Sequence, residues 1–269
     1  MLRRYRLLVM VAAVLTVLAA GCSNPAKPSG VNLPHSGTPP YMTRSPSSTP
    51  SAASSGSTGV GLPAASSASI RWISASCAWR RRRTHLHGDH FGGLPFLILD
   101  GQFAHRSAPL LVAGPPGIRA RLTEAMETLF PGSSRVRRRF PVEVTELATD
   151  GTPTALGAAT VRGWEVEHAC GAPPLALRVG LGGVTFAYSG DTQWTPALAE
   201  AAREADLFAA EAYTFDRPIR YHLDYQTLRA HLQDIDAARV VLTHMSADML
   251  GRLADAELPA AYDGMIIDL

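Results

Sequence analysis

THLHGDH, residues 84–90, puts His85, His87, Asp89 and His90 into one short loop and follows them with the glycine pair Gly92 and Gly93. A packed core has no use for that density of imidazole and carboxylate. These are the side chains that suit zinc, and an HxHxDH loop can turn two histidines toward one ion and the Asp–His pair toward a second. Further ligands are then expected downstream, at strand ends, where an α/β sheet presents its polar groups. Three residues stand in that position. His168 follows the strand-like run 161–167, Asp191 follows 184–190, and His244 follows 240–243.

Beyond residue 84, short β-branched runs alternate with amphipathic stretches, the pattern of a layered α/β domain. Strands are expected at 110–113, 142–147, 160–166, 175–179, 184–189, 207–210, 240–243 and 265–269, and helices at 118–130, 195–204, 225–235 and 247–253. Pro115, Pro116 and Gly117 end one strand and admit a helix, and Pro196 fits the first turn of the next. There is no internal repeat.

The order THLHGDH, then His168, then SGDT with Asp191, then LTH with His244 resembles the metallo-β-lactamase superfamily over residues 84–269. That resemblance implies a four-layer αββα sandwich and a binuclear zinc centre, with manganese or iron as alternative occupants. It also implies that His85, His87 and His168 hold one ion, Asp89, His90 and His244 the other, and that Asp191 bridges both. A metal-bridging hydroxide would be the nucleophile, with Asp89 counted among the catalytic residues. Two further segments, Ala210-Glu211-Ala212-Tyr213 and Tyr221-His222-Leu223-Asp224-Tyr225, look like the glutamate and histidine motifs of ribonuclease Z-like phosphodiesterases. In that branch the histidine sits near the leaving group and the glutamate orients it, roles that fall here on His222 and Glu211. His105 and His231 match no motif and read as surface or structural histidines.

The same resemblance shows two departures. Ribonuclease Z carries a long tRNA-binding arm between the His168-type and Asp191-type motifs, whereas residues 169–190 leave room only for two strands and a turn. A small phosphodiester or other ester is therefore the expected substrate, and tRNA is not. Family members also feed an apolar strand into THLHGDH, whereas Arg80, Arg81, Arg82 and Arg83 occupy that place here, where buried charge is costly. An incomplete first sheet is expected. The zinc ligands alone leave a lactonase, a thioesterase or a β-lactamase-type hydrolase open, and the arginine run leaves open a remnant that binds metal poorly.

Toward the N-terminus, Arg3, Arg4 and Arg6 precede an apolar stretch that closes on Ala19-Ala20-Gly21-Cys22. This has the form of a secretory signal, residues 1–22, too short and wrongly flanked for a membrane span. Its ending resembles a bacterial lipobox, which implies lipid on Cys22, export, and attachment to the cell membrane. Otherwise the chain would be cytoplasmic. Residues 23–69, rich in Ser, Pro, Thr, Gly and Ala, lack the apolar side chains that repay ordering and read as a disordered tether to a hydrolase domain at 70–269. A net charge of +2 gives no global field for nucleic acid. Cys77 and Cys170 make no disulfide framework, and oligomeric state is left open, a homodimer included.

Overall fold

The computed structural model describes residues 84–262 and 265–269, together with the backbone of three short strands before them. Those strands are β1 (Leu8–Met10) and β2 (Thr16–Leu18), which pair antiparallel within the stretch read as a signal, and β3 (Ser69–Arg71). The rest of the stretch read as a signal, the stretch read as a tether as far as residue 68, Cys22, Cys77 and the four arginines at 80–83 lie outside the described residues.

The domain then runs through α1 (Gly88–Phe91), α2 (Gly93–Phe103), β4 (Leu110–Gly114), α3 (Ile118–Leu129), β5 (Val142–Glu146), β6 (Thr154–Leu156), β7 (Ala159–Glu165), β8 (Leu175–Leu181) and β9 (Val184–Tyr188). It continues with α4 (Pro196–Ala202), β10 (Leu207–Glu211), α5 (Tyr225–Ala230), β11 (Val240–Thr243), α6 (Ala247–Leu250) and β12 (Ile266–Asp268). Six strands form one sheet in the order β11-β10-β9-β8-β7-β6. The β9, β10 and β11 neighbours are parallel, and those from β9 to β6 are antiparallel. In addition, β4 pairs with β5 in parallel, and β12 with β3 antiparallel.

Alternation along the strands builds the layers. In β10, Phe208 and Ala210 pack outward with Leu198 of α4, Leu228 of α5 and Met249 of α6. Leu207 and Ala209 pack the other way, with Phe186, Tyr188, Val241 and Ile267 of β12. A strand buried on both faces has no polar side to present, which is why its sequence is LFAAE without alternation. Ala113 of β4 meets Leu156, Val161, Leu175, Leu177 and Val179 between the sheets. On the far side of β4, Leu94 and Ile98 of α2 and Ile118, Leu122 and Met126 of α3 close the stack. The i, i+4, i+8 spacing of the α3 residues gives the helix one apolar face. Helix, sheet, sheet and helix is the αββα sandwich expected from the sequence.

Five elements differ from expectation. Residues 88–90, read as part of the metal loop, and the stretch 91–103, in which no helix or strand is expected, form α1 and α2, with Gly92 between them and Gly93 opening α2. The stretch GLPFLILDGQF is apolar nearly all round, so it carries no amphipathic signal. Strand β6 is a three-residue edge strand, too short to stand out. The helices expected at 225–235 and 247–253 end early, at Ala230 and Leu250, and short 3-10 turns follow them. Of the first sheet, the described residues contribute β4 and β5 plus the β12–β3 pair. No helix among the described residues is long and apolar enough to cross a membrane.

Candidate metal centre

Because β7, β9, β10 and β11 all run the same way, their C-terminal ends share one edge of the sheet. His168 lies beyond β7 and Asp191 beyond β9, Glu211 is the last residue of β10, and His244 follows β11 directly. The 84–90 loop is tied to this edge by the backbone N–H of Leu175, which donates to the Thr84 carbonyl at 2.9 Å. Gly190 makes the approach feasible. Its φ is +68°, and a Cβ there would lie 2.5 Å from Thr84 Cβ.

All seven residues read as metal ligands come together. His85, His87 and His168 form one group that could hold an ion, Asp89, His90 and His244 another, and His85, His90 and Asp191 a third that joins them. Within each group the ligand atoms lie within 4.8 Å of one another. Asp191 Oδ2 stands 3.0 Å from His90 Nε2, 3.2 Å from His244 Nε2 and 3.8 Å from His85 Nε2. His85 Nε2 and Asp191 Oδ1 are buried and without a hydrogen-bond partner among the described residues. Orphaned atoms of this kind are costly unless something else, such as a cation, satisfies them.

Glu211 ties this cluster to His222. Its side chain is fully buried, and its Oε1 accepts from His222 Nδ1 at 2.6 Å and from His244 Nδ1 at 2.8 Å. Its Oε2 accepts from the backbone N–H of Thr192 at 2.8 Å and of Leu223 at 3.3 Å. Four donors converge on one carboxylate. The carboxylate fixes both imidazoles through Nδ1–H, leaving Nε2 of each free of Glu211 and that of His244 3.2 Å from Asp191 Oδ2.

The surroundings set the charge states. Burial, then the charge of His90, pushes His85 from 6.5 to about 2, so it stays neutral, the form that ligates. His168 is also lowered by burial. Burial pushes Asp191 up, but the hydrogen bond from His90 and the charges of His244 and His90 outweigh it and hold the carboxyl at about 2. For His222 and His244, burial opposes the charged form and Glu211 outweighs it, raising both. A metal ion on His244 would displace that proton.

Several supporting residues were not legible from the motifs. Thr84 Oγ1 lies 3.0 Å from His85 Nδ1, and the Tyr221 carbonyl accepts from His168 Nδ1 at 3.0 Å. The Tyr213 ring stacks at 4.6 Å on His222 and 5.6 Å on His244. Tyr213 and Tyr221 stood inside the quoted segments, but spacing alone does not say which neighbour of a motif residue turns inward. His231 stacks on Trp194 at 4.0 Å and bonds Asp234, and His105 is exposed, so neither joins the cluster. A groove of about 590 Å³ lined by Leu86, Phe91, Phe96, Arg121 and Leu129 lies between α1, α2 and α3, and none of the ligand side chains lines it.

Residues 83–245 match the model of the beta-lactamase superfamily domain. The chain belongs to that superfamily. Among curated relatives it is 34% identical over 133 residues to ribonuclease Z of Mycobacterium marinum, covering 45% of this chain and 47% of that protein. To ribonuclease Z of Bacillus cereus it is 39% identical over 69 residues, 26% of this chain and 21% of the relative. The chain thus spans less than half the length of these relatives. Human tRNase Z, short form, shares the fold with a TM-score of 0.55 at 24% identity, over 69% of this chain and 76% of that one. A diphosphatase from the PhnP family does so with a TM-score of 0.51 at 20% identity, over 69% and 68%. This superfamily chain is therefore similar to the ribonuclease Z branch in sequence and in fold.

Proposed function

We propose that this chain is a metal-dependent hydrolase, a binuclear zinc phosphodiesterase acting on a small phosphodiester rather than on tRNA. The observation that carries the reading is the Glu211–His222 hydrogen bond of 2.6 Å beside a cluster of seven ligand-type side chains. The donor set fits zinc: neutral imidazoles and carboxylates with buried, unsatisfied atoms. His85, His87 and His168 would hold one ion and Asp89, His90 and His244 the other, with Asp191 between them. Two zinc ions in those positions would supply a hydroxide nucleophile near neutral pH and take up charge on the attacked oxygen.

The chain's own residues do the rest. Glu211 holds His222 with its Nε2 free of Glu211, and the raised proton affinity of His222 suits it to protonate a departing alkoxide. Thr84, Tyr221 and Glu211 orient His85, His168 and His244 from behind, the second contact that ligating histidines ordinarily make. Between His168 and Asp191 lie only residues 169–190, chiefly β8 and β9, which supports a substrate smaller than tRNA. The signal-like N-terminus and Cys22 support an exported, lipid-anchored protein.

The test presents zinc-loaded protein with bis(p-nitrophenyl) phosphate, a chromogenic β-lactam and a lactone. Turnover of the phosphodiester is expected, and turnover of a diester with an alkoxide leaving group, such as the dinucleotide TpT, should be lost in His222→Ala. Cleavage of the lactam or lactone alone, with His222→Ala silent, would overturn the reading in favour of a lactonase or β-lactamase.

A further inference from the structure

The turn between β10 and α5 carries a cation that the mechanism above does not use. Its base is fixed at both ends. Thr214 Oγ1 donates to the Arg217 carbonyl, Arg252 pairs with Asp216 at 2.6 Å, and the His222 N–H donates to the Ile219 carbonyl at 3.0 Å. At the tip, Tyr221 has a φ of +69°, a conformation that costs a non-glycine residue of order 1 kcal/mol or more and persists only where surrounding contacts enforce it. The enforced arrangement turns the Tyr221 carbonyl onto His168 Nδ1 and leaves its ring 6.4 Å from that of His168. Arg220 lies over this ring, with Cζ 4.5 Å from the centroid. It is exposed, and among the described residues its guanidinium makes no hydrogen bond or ion pair. Three other surface arginines are paired with carboxylates: Arg229 with Glu257, Arg252 with Asp216 and Arg203 with Glu200.

A guanidinium that rests on an aromatic ring loses little freedom on binding and offers a planar fork of donors matched to phosphate. This one is next in sequence to the carbonyl that orients a ligand histidine and two residues from His222, the group nearest the leaving oxygen. We propose that Arg220 on Tyr221 is a specificity-determining anion seat that takes a second phosphate of the substrate, on the leaving-group side of the scissile diester. The inference rests on the phosphodiesterase reading and narrows it to nucleotide-type substrates with a phosphate neighbouring the cleaved bond.

The test uses the full, zinc-loaded chain and has two arms. In the first, kcat/KM is measured for the thymidine dinucleotide TpT and for its terminally phosphorylated forms pTpT and TpTp. In the second, calorimetry compares thymidine 3′,5′-bisphosphate with thymidine 5′-phosphate. A charged hydrogen-bonded contact of this kind is worth on the order of tenfold or more. One of the phosphorylated dinucleotides should therefore be favoured at least about tenfold, and the bisphosphate should bind correspondingly tighter. Arg220→Ala should reduce both ratios to near one, and Arg220→Lys, which keeps the charge without the fork, should leave intermediate ratios. Ratios that survive Arg220→Ala, or that are absent in the wild type while TpT is cleaved, would overturn the seat and leave the phosphodiesterase reading standing. If no diester is cleaved but the bisphosphate preference depends on Arg220, the seat stands and the phosphodiesterase reading falls.

Discussion

Glu211→Gln separates a carboxylate that merely fills space from one that sets the protonation geometry of the centre. Glutamine offers one acceptor oxygen and one donor amide where glutamate offers two acceptors, yet four N–H groups converge on this position. If the oxygen stays with the Thr192 and Leu223 amides, the new NH2 faces His222 and His244, and both rings must move their proton from Nδ1 to Nε2. A His244 protonated at Nε2 no longer offers a lone pair on the side facing Asp191, 3.2 Å away. Two charge-assisted hydrogen bonds are lost, roughly 3–6 kcal/mol in all. Loss of such an outer contact costs about 10–100-fold in metal affinity, and loss of the charged, acidic form of His222 about 10²–10⁴-fold in rate. At saturating zinc, kcat on a diester with an alkoxide leaving group, such as TpT, should therefore fall by about three orders of magnitude, while the far-ultraviolet spectrum stays native. Nitrogen-15 shifts of the two rings would report the tautomers directly. The pH profile adds an independent sign. Glu211 raises His222, so kcat should be lost as pH rises through that raised value, and in Glu211→Gln the alkaline limb should move to lower pH. A folded Glu211→Gln protein with wild-type zinc affinity, rate and pH profile would refute the reasoning.

His222→Ala should lower kcat about 10²–10⁴-fold for esters with alkoxide leaving groups and far less for nitrophenolate, which needs no proton; zinc content should be unchanged, and equal losses for both leaving groups would count against the donor role. Gly190→Ala should cost about 2 kcal/mol or more, because φ is +68° and the new methyl meets Thr84 at 2.5 Å; a thermal melt and a zinc titration check it, and an unchanged Tm would show that the loop gives way freely. Chelation should abolish turnover and lower Tm, since it leaves His85 Nε2 and Asp191 Oδ1 buried without partners; elemental analysis of the reconstituted protein should return two ions per chain. In the metal-free protein, His85 titrates near 2 when folded and near 6.5 when unfolded, so below pH 6.5 the unfolded chain binds the proton first and stability falls by about 1.4 kcal/mol per pH unit. His222 and His244 are raised, and their contribution is fully present below 6.5, so it does not mask this slope. A Tm that is flat between pH 6.5 and 4.5 would refute the burial of a neutral His85.

The parts of the fold legible in the sequence were those in which a strand or helix keeps its period. Runs 110–113, 240–243 and 175–179 fall inside or on β4, β11 and β8, and α3 shows its buried face at Ile118, Leu122 and Met126. What escaped lacked a period. Helix α2 is apolar on most sides because it packs under the 84–90 loop and over β4 at once. Strand β6 is three residues long, held by three register pairs to β7 across a tight turn and by Leu156 in the core between the sheets, too short a run to show an alternation.

The centre divides the same way. The ligand-type side chains that gather in the cluster were legible because metal binding demands particular side chains at strand ends, and chemistry of that kind leaves residue types behind. The contacts that orient them are made largely by groups every residue carries: the Tyr221 carbonyl on His168, and the Thr192 and Leu223 amides on Glu211. A backbone donor has no letter in the sequence. It becomes available only when parallel strands β9, β10 and β11 bring their ends to one edge and the 214–222 turn folds over them. The same holds for Arg220. As a letter it is one of many arginines, and only the fold, with Tyr221 at a φ of +69°, sets its guanidinium over the Tyr221 ring, itself 6.4 Å from the ring of His168. Relieving that backbone, as in Tyr221→Gly, should therefore disturb His168 orientation and the anion preference together, whereas Tyr221→Phe should disturb neither. A Tyr221→Gly protein that loses zinc affinity yet keeps its preference for the second phosphate would separate the two roles and place the anion seat elsewhere.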